Sequence, residues 1–328
     1  MAANQEKVWI GFDLGGTKML TVAYDQKWEE LGRRRRKTRG RDGSDSGVER
    51  IGSTIDRLLD ESKIGRDALA GIGIGCPGPI DLERGRILTT PNLGWDDIEV
   101  ANYLRKRFDC PVLVVNDVDA GIYGEYRFGS AKGSRCAVGI FPGTGVGGGC
   151  VYEGRILHGG GISCMEVGHT RISSSSRASG YDLPGTVEAE ASRLTIAAEA
   201  AKAAMRGDAP YLAKKVGTDL ADIRSGAIAD AIENGDKSIK TLVEQASEAI
   251  GLAVVNLVHI LCPDKVVLGG GLVEAMEDLI VGTVRKTARQ NVMSVYKDRF
   301  EVVAAKLGDD AGVLGAAACA RQELANES

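Results

Sequence analysis

An α/β fold made of two similarly organised halves is predicted by three features of this 328-residue chain. Apolar strand-like runs alternate with segments of helical period along most of its length. Two glycine-rich turns, Asp13-Leu14-Gly15-Gly16-Thr17-Lys18 and Gly143-Thr144-Gly145-Val146-Gly147-Gly148-Gly149, lie 130 residues apart, and each follows an apolar run. Between them Val112-Leu113-Val114-Val115 reads as a buried strand delivering Asn116-Asp117 at its C-terminal end. In open α/β sheets, ligands gather at such strand ends.

Each element follows from its own pattern. Residues 8–12, 20–24 and about 29–38 read as three consecutive strands, with turns at Gly15-Gly16 and Asp25-Gln26. From Val48 to Ser62, Ile51, Ile55, Leu58 and Leu59 recur on one helical face. The glycine-rich apolar run 69–75 is a strand ending in Pro77-Gly78-Pro79, residues 98–108 suit a short helix, and 112–115 form the next strand. The pattern then restarts: strands 136–141 and 147–152 flank the second glycine turn as 8–12 and 20–24 flank the first. Helices are expected over 187–206, 208–216, 219–234 and 238–261, then a strand at 265–268 running into Gly269-Gly270-Gly271. A helix over about 274–290, a strand at 300–304 and a closing helix over about 309–325 complete the chain.

Composition narrows the function classes. The chain is 43% hydrophobic and 26% charged with a net charge of −4, so nothing electrostatic favours nucleic acid. The local exception, Arg33-Arg34-Arg35-Arg36-Lys37, reads as an exposed outer strand whose cations discourage edge pairing. Seven scattered cysteines without a CxxC pair suggest neither a zinc ribbon nor a disulfide framework. A polar N-terminus, and an apolar stretch from Ala249 to Cys262 too short to span a bilayer, point to a cytoplasmic protein without a membrane partner.

Glycine turns let the backbone approach phosphate oxygens, and successive amides form an anion-binding concavity. Neither turn is a P-loop, since no Gly-Lys-Ser/Thr closes it. Asp117 has the chemistry of a general base at a strand end, although a strand-end Asp also caps helices. Gly269-Gly270-Gly271 reads equally well as a strand-to-helix turn that needs positive φ.

In combination, the segments Asp13–Lys18, Gly73–Asp81, Pro91–Trp95, Asn116-Asp117, Gly143–Gly149, Glu166–His169, Gly269–Leu272 and Leu307–Ala317 resemble the ROK family of repressors, uncharacterised frames and sugar kinases. The resemblance implies two actin-like (ribonuclease H-like) α/β domains facing each other across an active-site cleft. Residues 1–118 with about 309–328 would form the smaller, and 119–308 the larger. It implies ATP-dependent phosphorylation of a hexose hydroxyl, most commonly that of glucose, by a homodimer that uses Mg²⁺. In that frame Asp117 is the base, and Gly78, Asn92, Asn116, Glu166, His169 and Glu188 surround the sugar. Asp13, through water, places Mg²⁺ with ATP. Gly15, Gly16, Thr17 and Lys18 sit by the phosphates, Gly143, Thr144 and Gly145 close on them, and Gly269, Gly270 and Gly271 lie on the adenosine side.

The chain departs from the family twice. Where many members carry Cys-x-Cys-Gly-x-x-Gly-Cys-x-Glu, which with the His holds a structural zinc, this sequence has Ser179-Gly180-Tyr181-Asp182-Leu183-Pro184-Gly185-Thr186-Val187-Glu188. Ser, Tyr and Thr replace the thiolates, so no zinc is expected. Val115 also stands where many kinases have Glu before Asn-Asp. N-acetylhexosamine or fructose kinases are the neighbouring alternatives, and a non-catalytic sugar sensor a third. Only twelve residues precede Asp13, so a DNA-binding repressor is not expected.

Overall fold

The computed structural model describes residues 7–90 and 93–324. These fall into two compact units: residues up to Lys132 together with 155–164 and the segment from Asp309 onward, and residues 133–154 with 165–308. In chain order the first unit holds β1 (Val8–Leu14), β2 (Lys18–Tyr24), β3 (Glu30–Lys37), α1 (Ser44–Ser62), β4 (Leu69–Cys76), β5 (Ile80–Asp81), β6 (Arg86–Thr90), β7 (Trp95–Ile98), α2 (Val100–Phe108), β8 (Val112–Asn116) and α3 (Asp117–Phe128). There follow β9 (Cys136–Pro142), β10 (Val146–Tyr152), β11 (Arg155–Ile156), α4 (Val187–Ala191), α5 (Arg193–Arg206), α6 (Pro210–Lys215), α7 (Ser225–Glu233) and α8 (Lys237–Leu261). The chain continues through β12 (Lys265–Leu268), α9 (Gly271–Ala275), α10 (Glu277–Asn291) and β13 (Glu301–Ala304), and α11 (Asp310–Leu324) returns to the first unit.

The first unit's main sheet runs β3-β2-β1-β4-β8: an antiparallel meander extended on the far side of β1 by two parallel strands. Strand alternation gives it two buried faces. Val8, Ile10, Phe12 and Leu14 pack with Ile51, Ile55 and Leu58 of α1, while Trp9, Leu20 and Val22 meet Val313, Ala317 and Ala320 of α11. The arginine run is the outer strand β3, where Arg33 pairs with Glu30 and Asp310, Arg34 with Glu61 and Arg35 with Asp309.

Helix α11 lies directly on the strand backbones. A Cβ at Gly73 would stand 1.9 Å from the Ala316 carbonyl oxygen, and one at Gly11 2.0 Å from that of Val313. Neither neighbour is a side chain that could swing aside. Gly73→Ala is therefore expected to cost about 3 kcal/mol in urea unfolding through overpacking. Gly226→Ala, which meets nothing within 4 Å, should change stability by less than about 1 kcal/mol. Equal midpoints for the two variants would contradict this close packing.

The second unit repeats the topology, with order β10-β9-β12-β13, β9 and β10 antiparallel and β9, β12 and β13 parallel. The expected helix over 187–206 is broken at Ser192, whose extended backbone ends α4 and whose hydroxyl accepts from the Thr195 amide to start α5. The helix expected from 274 is likewise split, at Met276. The segment expected to be helical from 219 becomes so only at Ser225. A small sheet, β5-β6-β7, lacks any period-2 signature in the sequence. Helix α3, within which the expected domain border at 118 falls, packs on α11 and belongs to the first unit, as do residues 155–164. By length and composition α8 could cross a membrane, yet 56% of its apolar window is buried inside the protein. Five of the seven cysteines are buried.

Candidate active site

In the first unit, β1, β4 and β8 end side by side, because Asp13 is in register with Gly75 and Cys76 with Asn116. A Cβ at Gly75 would lie 3.3 Å from the Asp117 Cα, so glycine there lets the start of α3 close against the sheet. The electrostatics show the same convergence. Burial, reinforced by the Asp117 and Asp309 carboxylates, pushes Asp13 up to about 7, against the pull of Lys18 and Arg35. Burial also pushes up the Cys76 thiol, with Asp117 and Asp13 adding to the effect.

Asn116 is the N-cap of α3. Its Oδ1 accepts from the Val118 amide at 2.9 Å and the Asp119 amide at 3.3 Å, and its Nδ2 donates to the Gly78 carbonyl at 3.2 Å. Gly78 holds that carbonyl in place with φ +91°, where an added Cβ would stand 2.1 Å from the Thr89 oxygen. Both residues expected at the sugar therefore also build the platform under Asp117. Asp117 opens α3, where a negative charge meets the positive end of the helix dipole, and its Oδ1 accepts from the Val118 amide at 2.9 Å.

The first glycine turn is closed by the Gly15 amide donating to the Lys18 carbonyl at 3.0 Å and braced by the Thr38 hydroxyl on the Gly15 carbonyl at 2.6 Å. Gly16 and Thr17 are exposed. The Lys18 ammonium is paired with Asp309 at 3.0 Å, beside Arg35, which meets the same carboxylate at 2.8 Å. Asp309, which lies in the Leu307–Ala317 segment but has no role by the resemblance, thus holds two cations beside this turn.

In the second unit, the Gly143 amide donates to the Gly145 carbonyl at 2.8 Å, leaving Thr144 exposed at the tip of the turn. Glu188 supports the turn from α4: its Oε2 accepts from the Val146 amide at 3.0 Å and fills the space beside Gly145, where a Cβ would come within 2.2 Å. Leu268 is in register with Ile140, so the Gly269-Gly270-Gly271 turn leaves the strand next to the one that feeds Gly143–Gly145. Gly270, with φ +87°, is the N-cap of α9.

Glu166 precedes, and His169 ends, a 3-10 turn over Val167–His169. The His169 ring meets that of Tyr181 edge-on, 5.0 Å between centroids at 87°. Burial raises Glu166, with His169 opposing and Glu188 reinforcing. Burial also raises Tyr181, with Glu166 and Glu188 adding to it. These four side chains form one polar cluster. The 179–188 loop is held by backbone pairing, Ser179 amide to Leu183 carbonyl and Gly185 amide to Arg177 carbonyl, and Thr186 caps α4 through the Ala189 amide at 3.2 Å. The His169 Nδ1 is buried without a hydrogen-bond partner, but hydroxyls stand where zinc would need thiolates. Among the described residues no group of three His, Cys, Asp or Glu is placed to hold a metal. Asn92 lies outside the described residues.

The sequence model of the ROK family matches residues 9–323. The chain belongs to the ROK family. It is 31% identical over 317 residues to the glucokinase of Thermotoga maritima, covering 96% of this chain and 98% of that one. It superposes with a TM-score of 0.81 on the ROK family glucokinase from Streptomyces griseus in complex with glucose and AMPPNP, at 26% identity, covering 96% of this chain and 99% of the other. It is also 27% identical over 262 residues to the xylose repressor of Caldicellulosiruptor bescii, covering 80% of this chain and 65% of the repressor. The fold is thus the two-domain actin-like α/β architecture of ROK sugar kinases, and these relatives support a sugar kinase, a phosphotransferase.

Proposed function

We propose that the protein transfers the γ-phosphate of ATP to a hexose hydroxyl, with glucose giving glucose 6-phosphate as the leading reaction. The observation that carries this reading is Asp117, a carboxylate at the end of β8 whose charge meets that of Asp13 at the end of β1. A sugar hydroxyl is a weak nucleophile at neutral pH. A carboxylate within hydrogen-bond reach accepts its proton as the bond to phosphorus forms, typically worth about 10²–10⁴-fold. Asn116 and Gly78 orient that base by fixing the first turn of α3. Glu166 accepts from sugar hydroxyls and the His169 ring donates to one, with Glu188 ordering the turn between them and the phosphates.

Mg²⁺ fits the residues present. A carboxylate raised first by burial and then by its carboxylate neighbours Asp117 and Asp309 wants a cation, and magnesium bound with nucleotide phosphates typically takes only one or two carboxylates from the protein. Asp13 would hold it, through water, and it would neutralise phosphate charge. The amides and hydroxyls of residues 15–17 and 143–145 position the phosphate chain, with residues 269–271 beside the adenosine.

The test is coupled ADP release with Mg-ATP across glucose, mannose, fructose, N-acetylglucosamine and N-acetylmannosamine. Glucose turnover supports the leading reading; preference for an acetamido sugar or fructose moves the substrate assignment. The similarity to a xylose repressor favours one rival, a sugar-responsive regulator. Sugar binding by calorimetry with no turnover on any sugar would favour it over the kinase. Metal analysis of the purified protein is expected to find no stoichiometric zinc, and one zinc per chain would overturn the reading of the 179–188 loop.

A further inference from the structure

We propose that Arg193 grips the phosphate chain of the nucleotide at the second glycine turn, an assignment that rests on the kinase reading above. Arg193 is the first residue of α5, where a cation opposes the helix dipole and gains nothing from helix formation. It is held there by the turn itself. Its backbone amide donates to the Gly143 carbonyl at 2.9 Å, and its guanidinium donates to the Thr144 hydroxyl at 3.1 Å. Among the described residues it has no carboxylate within ion-pair distance, whereas Arg177 nearby in the chain is paired with Glu190 at 2.8 Å. The Thr144 and Gly145 amides donate to no acceptor among the described residues.

Two backbone amides, a hydroxyl and an uncompensated guanidinium therefore meet at one exposed tip, a donor set suited to a phosphate oxyanion. The Thr144 contact uses one of the five guanidinium N–H groups, which leaves the fork able to take two oxygens side by side. Glu188, the acidic neighbour of the turn, is bonded to the Val146 amide. A cation on the other contact of the turn keeps the tip attractive to an anion.

The experiment compares wild type, Arg193→Gln and Arg193→Lys for AMPPNP binding by calorimetry with Mg²⁺, for KM of ATP and kcat, and for sugar affinity. Arg193→Gln is expected to weaken AMPPNP and raise the KM of ATP by about 10–100-fold, leaving sugar affinity and thermal midpoint nearly unchanged. Arg193→Lys should recover part of the loss. Equal AMPPNP affinity in wild type and Arg193→Gln overturns the proposal, as does a loss matched by falls in sugar affinity and thermal midpoint, which marks a strut between α5 and the turn. AMPPNP binding that depends on Arg193, in a wild type inert toward every sugar, would strike the kinase reading while supporting the phosphate contact.

Discussion

Replacing Asp117 with asparagine is expected to lower sugar-dependent ADP release by about 10²–10⁴-fold while sugar affinity stays within a few-fold. The substitution isolates proton acceptance from architecture. Asparagine keeps the side-chain oxygen that accepts from the Val118 amide, so the start of α3 and the Asn116 cap should persist. What it removes is basicity and one negative charge beside Asp13. If Asp117 were only a helix-opening residue, asparagine would serve as well and turnover would be near normal; that result would remove it from the base role. Coupled turnover with calorimetric sugar binding separates the outcomes, and an unchanged circular dichroism spectrum guards against misfolding.

How far the sequence reaches is visible in Asn116. Its place at a strand end could be read from Val112–Val115, and the family resemblance assigns its amide to the sugar. Its cap on α3 and its bond to the Gly78 carbonyl depend on the register of β8 with β4, which no local pattern reports. Glu188 is a similar case. Its motif is legible, but its bond to the Val146 amide spans 42 residues, and the helical run that carries it breaks at Ser192. That break is itself obscure, since Ser192 sits inside an alanine-rich segment with strong helical propensity and wins by capping α5.

The main strands were legible because burial on both faces writes continuous apolar runs, as in Ile72–Ile74 and Val112–Val115. The β5-β6-β7 sheet was not, since strands of two to five residues carry too few positions for a period. Arg193 lies in no motif, Asp309 lies in a segment whose resemblance assigns it no role, and their partners are 49 and 291 residues away. Long-range polar contacts of that kind are set by topology, and only the fold exposes them.

Asp13→Asn is expected to stabilise the nucleotide-free protein and to disable it. Asp13 rises from an ordinary 3.8 to about 7 because burial and the Asp117 carboxylate disfavour its charge. Between those values the folded chain binds more protons than the unfolded one, so stability falls as pH rises through this window and the full penalty is present above pH 7. The shift caps that penalty at roughly 4 kcal/mol, and water around a partly exposed carboxylate reduces it to about 1–2 kcal/mol. Asparagine removes it. The variant's thermal midpoint should exceed the wild type's by about 2–6 °C at pH 8, with the gap closing toward pH 4. Added Mg²⁺ with nucleotide should raise the wild-type midpoint more than the variant's, because only the wild type keeps the carboxylate that a cation would neutralise. Turnover should fall at least about 100-fold, a site carrying strain that its ligand relieves. Melting curves from pH 4 to 8 decide the matter: parallel curves, or a variant less stable at pH 8, would mean that Asp13 carries no charge penalty and that its closeness to Asp117 has no energetic consequence.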